Sequence, residues 1–234
     1  MGHEFAGRII TAPSDSNLHP GQKVVVDPRI YCSTCARCNT GATQGCTTLG
    51  FKGISGAGGG FSALIAVDAR SCYALPDDTD LSLAALIEPL AVAWHAISLC
   101  GGKWEEKSVL ILGGGPIGIA CAIGLRARWC KQVLVSEPTI TRASQNKRVA
   151  TAVFNPVTDN IGDKCREATG GEGVDVVFDC AGVQKGFVAG MDALRYRGFY
   201  VNLAIWGAPV CSRNSWLLCW LIIRRCRYLS WTSF

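Results

Sequence analysis

The sequence predicts an α/β chain: a parallel sheet covered by helices on both faces, preceded by a smaller unit of irregular β structure. Three observations predict it. From Ser108 onward, short continuous apolar runs alternate with helical stretches, the rhythm of strand–helix–strand units. Before residue 80 the apolar runs are brief and interrupted by Gly, Pro and Asp, as in a small barrel. The length of 234 residues exceeds the usual single-domain size, so one large or two modest domains are expected.

Taken in order, "GRII", "GQKVVVDPRI" and "GFSALIAVD" are the β-rich runs of the first part, and "GISGAGGG" (53–60) is too rich in glycine to be anything but a loop. At "DDTDLSLAALIEPLAVAWHAISL" the pattern turns helical. Asp80 is placed to cap a helix, and Pro89 marks a break or a restart. Then come the strand "SVLILG", the helix "PIGIACAIGLRAR", the strand "QVLVSE", a polar helix around 142–149 and the strand "AVFNP". A helix near 163–169, the strand "VDVVFDCAG", a further helix and a fifth strand, "GFYVNLAIW", complete the series. Past Pro209 the rhythm stops: "VCSRNSWLLCWLIIRRCRYLSWTSF" has no acid and little periodicity, and is expected to continue neither strands nor helices. The expected organisation is a β domain over 1–88, a nucleotide-type domain over 89–209 and a divergent tail over 210–234.

Composition excludes several function classes. The chain is 49% apolar and 18% charged, which suits a folded soluble protein. Of the net charge of +5, Arg213, Arg224, Arg225 and Arg227 supply four, so no basic face calls for nucleic acid. The apolar run "WLLCWLII" is too short for a membrane span, which needs about 20 residues. Thirteen cysteines is an odd count, and the polar start has no n-region or h-region, so a reducing, cytoplasmic compartment is expected.

Two motifs carry chemistry. "CSTCARCNTGATQGC" spaces Cys32, Cys35, Cys38 and Cys46 as C-x2-C-x2-C-x7-C, which can wrap one Zn²⁺ tetrahedrally. Scattered buried cysteines and a redox C-x-x-C are the alternatives. A closed all-cysteine site has no open position, so this zinc would hold a loop and do no chemistry. "SVLILGGGPIGIA" places Gly113-x-Gly115-x-x-Gly118 directly after a strand and at a helix start, the Rossmann dinucleotide fingerprint. Gly113 permits the tight turn, Gly115 lets backbone approach a pyrophosphate, and Gly118 lets helix and strand pack closely. Glu137, about 20 residues on, is placed to accept the ribose hydroxyls and to repel a 2′-phosphate, which favours NAD over NADP. His3–Glu4 at the chain start and Glu88 on an apolar helix start are weak signals singly. A lone His is usually structural, whereas a Glu there is costly to bury unless it binds something.

With these motifs in order, the chain resembles the zinc-dependent medium-chain alcohol and polyol dehydrogenases, most closely the fungal 2,3-butanediol branch. The resemblance runs from Met1 to about Pro209 through "GHEFAG", "VVVDPRIYCSTCARC", "LGFKG", "GGFSALIAVDA", "IEPLAVAWHA", "LGGGPIGIA", "VSEP" and "GGEGVDVVFDCAG". It implies a partial GroES-like β domain followed by an incomplete Rossmann domain. It implies that His3, Glu4 and Glu88 are catalytic residues at a catalytic zinc, with either Glu4 or Glu88 ligating. Cys32, Cys35, Cys38 and Cys46 then hold the lobe zinc. Gly113, Gly115, Pro116, Ile117, Gly118, Glu137 and Arg142 contact NAD. The implied reaction is zinc-assisted hydride transfer from a small secondary alcohol or diol to NAD⁺, in a homo-oligomer as in relatives, with no nucleic-acid or membrane partner.

The family also has a segment before "GHEFAG" with a further zinc-ligating cysteine and a relay Ser or Thr, and a sixth Rossmann strand after "VNLAIWGAP". The sequence is therefore expected to be incomplete at both ends, with strand 198–204 an open sheet edge unless the tail covers it. Three readings compete: a diol or secondary-alcohol dehydrogenase (sorbitol- or threonine-type substrates included), a remnant that binds zinc and NAD without turnover, and a zinc-free quinone reductase. The missing cysteine and relay favour the second for this polypeptide, while His3, Glu88 and the cysteine cluster disfavour the third.

Overall fold

A computed structural model describes residues 1–55 and 58–206, together with the backbone strand 226–230. The chain divides into two compact units, Met1–Ala91 and Val92–Ser233.

The first unit is held by a three-stranded antiparallel sheet in which β1 (Ala6–Arg8) and β5 (Cys72–Ala74) flank β2 (Lys23–Val26). β2 is central because "KVVV" supplies β-branched residues that stay within the core: Val24, Val25 and Val26 are all buried. A second, two-stranded ribbon pairs β3 (Arg29–Ile30) with β4 (Gly50–Phe51) and closes the loop that carries the short helix α1 (Ala36–Asn39). Helix α2 (Leu81–Ala84) starts where expected, since the Asp80 carboxylate accepts from Ser82 N at 2.8 Å. The helix restarts as α3 (Ile87–Leu99), with Pro89 in its first turn, where a missing N–H is harmless. One expected strand is absent. "GFSALIAVD" lies outside any ladder, and Ser62 Oγ instead bonds Gly59 O and Leu64 O in a turn. Apolar residues alone do not make a strand without an edge to pair with, and Phe61 and Leu64 are exposed.

The second unit is a parallel sheet in the order β8–β7–β6–β9–β10–β11. Its members are β6 (Ser108–Leu112), β7 (Gln132–Ser136), β8 (Ala152–Phe154), β9 (Val174–Asp179), β10 (Leu194–Asn202) and β11 (Cys226–Ser230). The connecting helices are α4 (Pro116–Ala127), α5 (Ile140–Asn146), α6 (Ile161–Ala168) and α7 (Gln184–Ala193). Alternation along the strands feeds two cores. Val109, Ile111, Val133, Val135, Val176 and Phe178 face Ala93, Ala96 and Ile97 of α3 and Cys121 and Leu125 of α4. Leu110, Leu112, Leu134, Val177 and Tyr200 face Ile161 and Cys165 of α6 and Phe187 of α7. Each fully buried aliphatic side chain contributes about 1.5–3 kcal/mol, so the sheet centre is where the unit is most strongly held.

The order places β6 beside β9 while successive strands run outward on either side, the doubly wound pattern whose ligands sit beyond the carboxyl ends at the switch point. The glycine loop follows β6, at that switch. The tail departs from expectation. Five of its residues form β11, parallel to β10 with Gly198 opposite Cys226 and Asn202 opposite Ser230. The sheet therefore has six strands where five were expected, and the β10 edge is paired. Main-chain hydrogen bonding at an open edge accepts almost any extended segment, so such a strand needs no side-chain periodicity of its own. The rest of the 210–234 tail lies outside the described residues. Among the described residues, no helix is long and apolar enough to cross a membrane.

Candidate metal centres and dinucleotide loop

The four cysteines expected as a lobe converge. Cys32 follows β3, Cys35 caps α1, Cys38 lies within it, and Cys46 follows a short 3-10 turn. Their sulfurs all lie within 4.8 Å of one another. The Cys32–Cys46 and Cys32–Cys38 separations are 3.6 and 4.0 Å. These bracket the edge of about 3.8 Å that a tetrahedron with 2.3 Å Zn–S bonds requires. Backbone amides aim at the sulfurs, Cys35 N to Cys32 Sγ at 3.3 Å and Cys32 N to Cys46 Sγ at 3.4 Å, as thiolates need. Hydrogen bonds from Thr34 and from the Cys35 amide hold the Cys32 thiol down to about 5. The Cys38 and Thr47 amides hold Cys35 down to about 7. Desolvation pushes Cys38 up to about 12. Zinc would take all four as thiolates, displacing the Cys38 proton, and the donor set is all sulfur and closed.

The second group is His3, Glu4 and Glu88, with one ligand atom from each within 4.8 Å of the others. His3 is carried by the extended start of the chain, which a glycine loop grips. Gly60 N donates to Gly2 O at 2.9 Å and Phe61 N to Met1 O at 3.0 Å. A Cβ on Gly53 would lie 2.0 Å from Gly2 O, and one on Gly60 would lie 2.3 Å from Phe5 Cγ. Gly53 and Gly59 thus make room for the Met1–Gly2 backbone, and Gly60 for the Phe5 ring. Glu88 arrives from the first turn of α3. Burial pushes its carboxyl above the ordinary range, Glu4 and Asp27 push the same way, and His3 pulls against them. The three donors are one nitrogen and two carboxylates. Glu4 is exposed, so the group is open on one side.

In the second unit the glycine fingerprint is built as expected. Gly113 has φ +90° and its N–H donates to Ser136 O at 2.9 Å. A Cβ on Gly118 would strike Gly113 O at 2.0 Å. Gly115 has open space, with only Arg142 Nη1 near its missing Cβ, at 3.9 Å. Pro116 opens α4, whose first N–H groups, those of Ile117 and Gly118, have no intrahelical acceptor. Glu137 ends the β7 segment almost wholly buried, at 3% exposure. Its oxygens accept from Gly114 N at 2.8 Å and from Thr139 N at 2.7 Å. Arg142 stands exposed on α5.

Comparison with known proteins agrees with this geometry. A family profile described as an alcohol dehydrogenase GroES-like domain matches residues 1–77, and one described as a zinc-binding dehydrogenase matches residues 116–225. The chain belongs to the zinc-binding dehydrogenase family. Among its relatives is the Saccharomyces cerevisiae protein named "Probable diacetyl reductase [(R)-acetoin forming] 2", 37% identical over 226 residues, covering 88% of this chain and 54% of that one. The (R,R)-butanediol dehydrogenase of the same yeast is 33% identical over 227 residues, covering 88% and 59%. The chain thus spans little more than half the length of these relatives. Among solved structures, a Sinorhizobium meliloti protein with NADP bound superposes with TM-score 0.87 at 29% identity, covering 97% of this chain and 67% of that one. The 2R,3R-butanediol dehydrogenase of Bacillus subtilis superposes with TM-score 0.83 at 28% identity, covering 98% and 64%.

The four thiols and the glycine loop with Glu137, read from spacing, and the His3–Glu4–Glu88 trio, implied by the resemblance, are each brought together in space. Three contributors escaped the sequence reading. Asp27 bears on Glu88, Gly60 grips the His3 segment, and Asn146 bonds the loop. The run "GISGAGGG" was a signal for the second, since dense glycine marks a place where other groups approach the chain closely.

Proposed function

We propose that the protein is a zinc-dependent oxidoreductase transferring a hydride from a secondary alcohol or vicinal diol of the 2,3-butanediol kind to NAD⁺. The observation that carries this reading is the convergence of His3, Glu4 and Glu88 in a chain that also holds a complete Rossmann fingerprint. When bound, zinc would supply a Lewis acid that lowers the alcohol pKa, and NAD⁺ would supply the hydride acceptor. His3, Glu88 and Glu4 would hold the metal, the half-buried Glu88 with less water to compete and the exposed Glu4 free to swing. Cys32, Cys35, Cys38 and Cys46 would hold the structural zinc. Ile117 and Gly118 would offer their N–H groups to the pyrophosphate, and the anchored Glu137 would keep a negative charge where a 2′-phosphate would otherwise fit, so NAD is favoured over NADP. Arg142, whose Nη1 lies 3.9 Å from where a Gly115 Cβ would be, would pair with the phosphates. The substrate class rests on the yeast and Bacillus relatives named for butanediol.

A second reading is favoured by one feature of the site. The trio contains no thiolate and leaves an exposed carboxylate as its third donor, too weak a set to keep zinc, so that the cysteine quartet would hold the chain's one metal. Metal analysis and an NAD⁺ reduction assay with 2,3-butanediol separate the two. About two zinc per chain with turnover lost in His3→Ala supports the enzyme; about one zinc without turnover supports the binding remnant.

A further inference from the structure

Asn146, at the end of α5, is fully buried beneath the glycine loop. Its Nδ2 donates to Gly114 O at 2.8 Å and to Arg142 O at 2.8 Å. From the other side, Gly114 N donates to the Glu137 carboxylate at 2.8 Å. The two peptide groups flanking the Gly114 Cα are thus each tied to a buried polar side chain. Space is closed as well as bonding. A Cβ on Gly114 would stand 2.4 Å from Asn146 Nδ2 and 3.2 Å from Glu137 Cβ. Among the described residues Asn146 Oδ1 has no partner. An unpaired buried amide oxygen costs about 1–3 kcal/mol, so an apolar residue would fill this space better if filling were the only requirement. The polar residue must be there for its donors.

We propose that Asn146 is a positioning residue for the dinucleotide. With Glu137 it fixes both peptide planes of Gly114, so that the N–H groups of Gly115, Ile117 and Gly118 are already presented to a pyrophosphate before it arrives. A loop ordered in advance spares the ordering cost at binding. The second Asn146 bond, to Arg142 O, ties to the same loop the turn of α5 from which the Arg142 guanidinium extends. This rests on the dinucleotide reading given above.

The test is calorimetric titration of the full chain with NAD⁺ and, in parallel, with adenosine, which shares the base and ribose but lacks the pyrophosphate. Asn146→Ala is expected to weaken NAD⁺ about tenfold and to leave adenosine within about twofold. Gly114→Ala is expected to weaken NAD⁺ further, because its Cβ meets the Asn146 amide. The double variant is expected to bind NAD⁺ more tightly than Gly114→Ala alone, since removing that amide relieves the clash. Equal losses for NAD⁺ and adenosine, an unchanged NAD⁺ affinity in Asn146→Ala, or additive losses in the double variant overturn the assignment. Wild-type protein that binds neither NAD⁺ nor NADP⁺ refutes the functional reading and this proposal with it. Tight wild-type binding with an indifferent Asn146 refutes the proposal alone.

Discussion

Gly53→Ala tests whether the glycine loop sets the metal site. Gly53 has φ +77°, and a Cβ there would lie 2.0 Å from Gly2 O and 2.5 Å from Gly2 C, both backbone atoms. The strained backbone costs about 1–2 kcal/mol. Forcing atoms into a filled space costs a further 1–3 kcal/mol or so. Relief requires Gly2 to retreat by about 1.4 Å to reach ordinary contact distance. Gly2 is the covalent neighbour of His3, so the ligand moves with it. Disturbing a ligand's support lowers metal affinity about 10–100-fold. A competitive zinc titration with a chromophoric chelator should show that loss for the weaker zinc and leave the cysteine-bound zinc untouched. Gly21→Ala is the control. Gly21 has φ +85° with nothing within 4 Å of its missing Cβ, so it carries the strain without the collision. Equal zinc affinities in Gly53→Ala and wild type would refute the argument, as would an equal loss in Gly21→Ala.

Other perturbations address the remaining parts. Glu88→Gln should abolish the weaker zinc, yet raise the melting temperature of metal-free protein at neutral pH. The sign follows from the raised carboxyl. Folded Glu88 holds its proton above the ordinary value of 4.5, so metal-free stability falls as pH rises from that value to the raised one. Removing the charge removes the loss, and a Gln variant that melts lower than wild type at neutral pH contradicts it. Cys46→Ser should lose about one zinc per chain by metal analysis and open residues 32–46 to proteolysis; full zinc retention is the contrary result. Asp179 is fully buried and accepts from Ala181 N, Gly182 N and Tyr200 Oη. Tyr200→Phe should therefore cost about 1.5–3 kcal/mol in urea unfolding, and a change below about 0.5 kcal/mol would show the bond to be idle.

What the sequence disclosed depended on whether the information was local. The central strands β6, β7 and β9 of the second unit were legible because each is a largely apolar run buried almost throughout, as in "SVLIL". The lobe and the fingerprint were legible because their donors lie within a few residues of one another. The trio was legible only through resemblance, since 84 positions separate Glu4 from Glu88 and no spacing rule spans such a gap. β11 was missed because a strand at a sheet edge is specified largely by the neighbour's unpaired backbone, which leaves little trace in its own residues. "GFSALIAVD" misled for the converse reason, having strand-like residues and no edge to join. Asn146 sits in a polar helix as an ordinary surface residue type, and only the fold carries it under the glycine loop.

The cysteine lobe has a consequence for handling the protein. A cation held there would neutralise sulfurs that are otherwise open to oxidation. Stripped of metal, Cys32 ionises at about 5 and is a thiolate at neutral pH, with Cys46 Sγ 3.6 Å away. A low-pKa thiolate beside a second thiol is the arrangement that peroxides convert to a disulfide. Chelation in air would then be a one-way step, closing the loop on a covalent bond that zinc cannot reopen without a reductant. Zinc in this lobe would be as much a chemical guard as a structural pin.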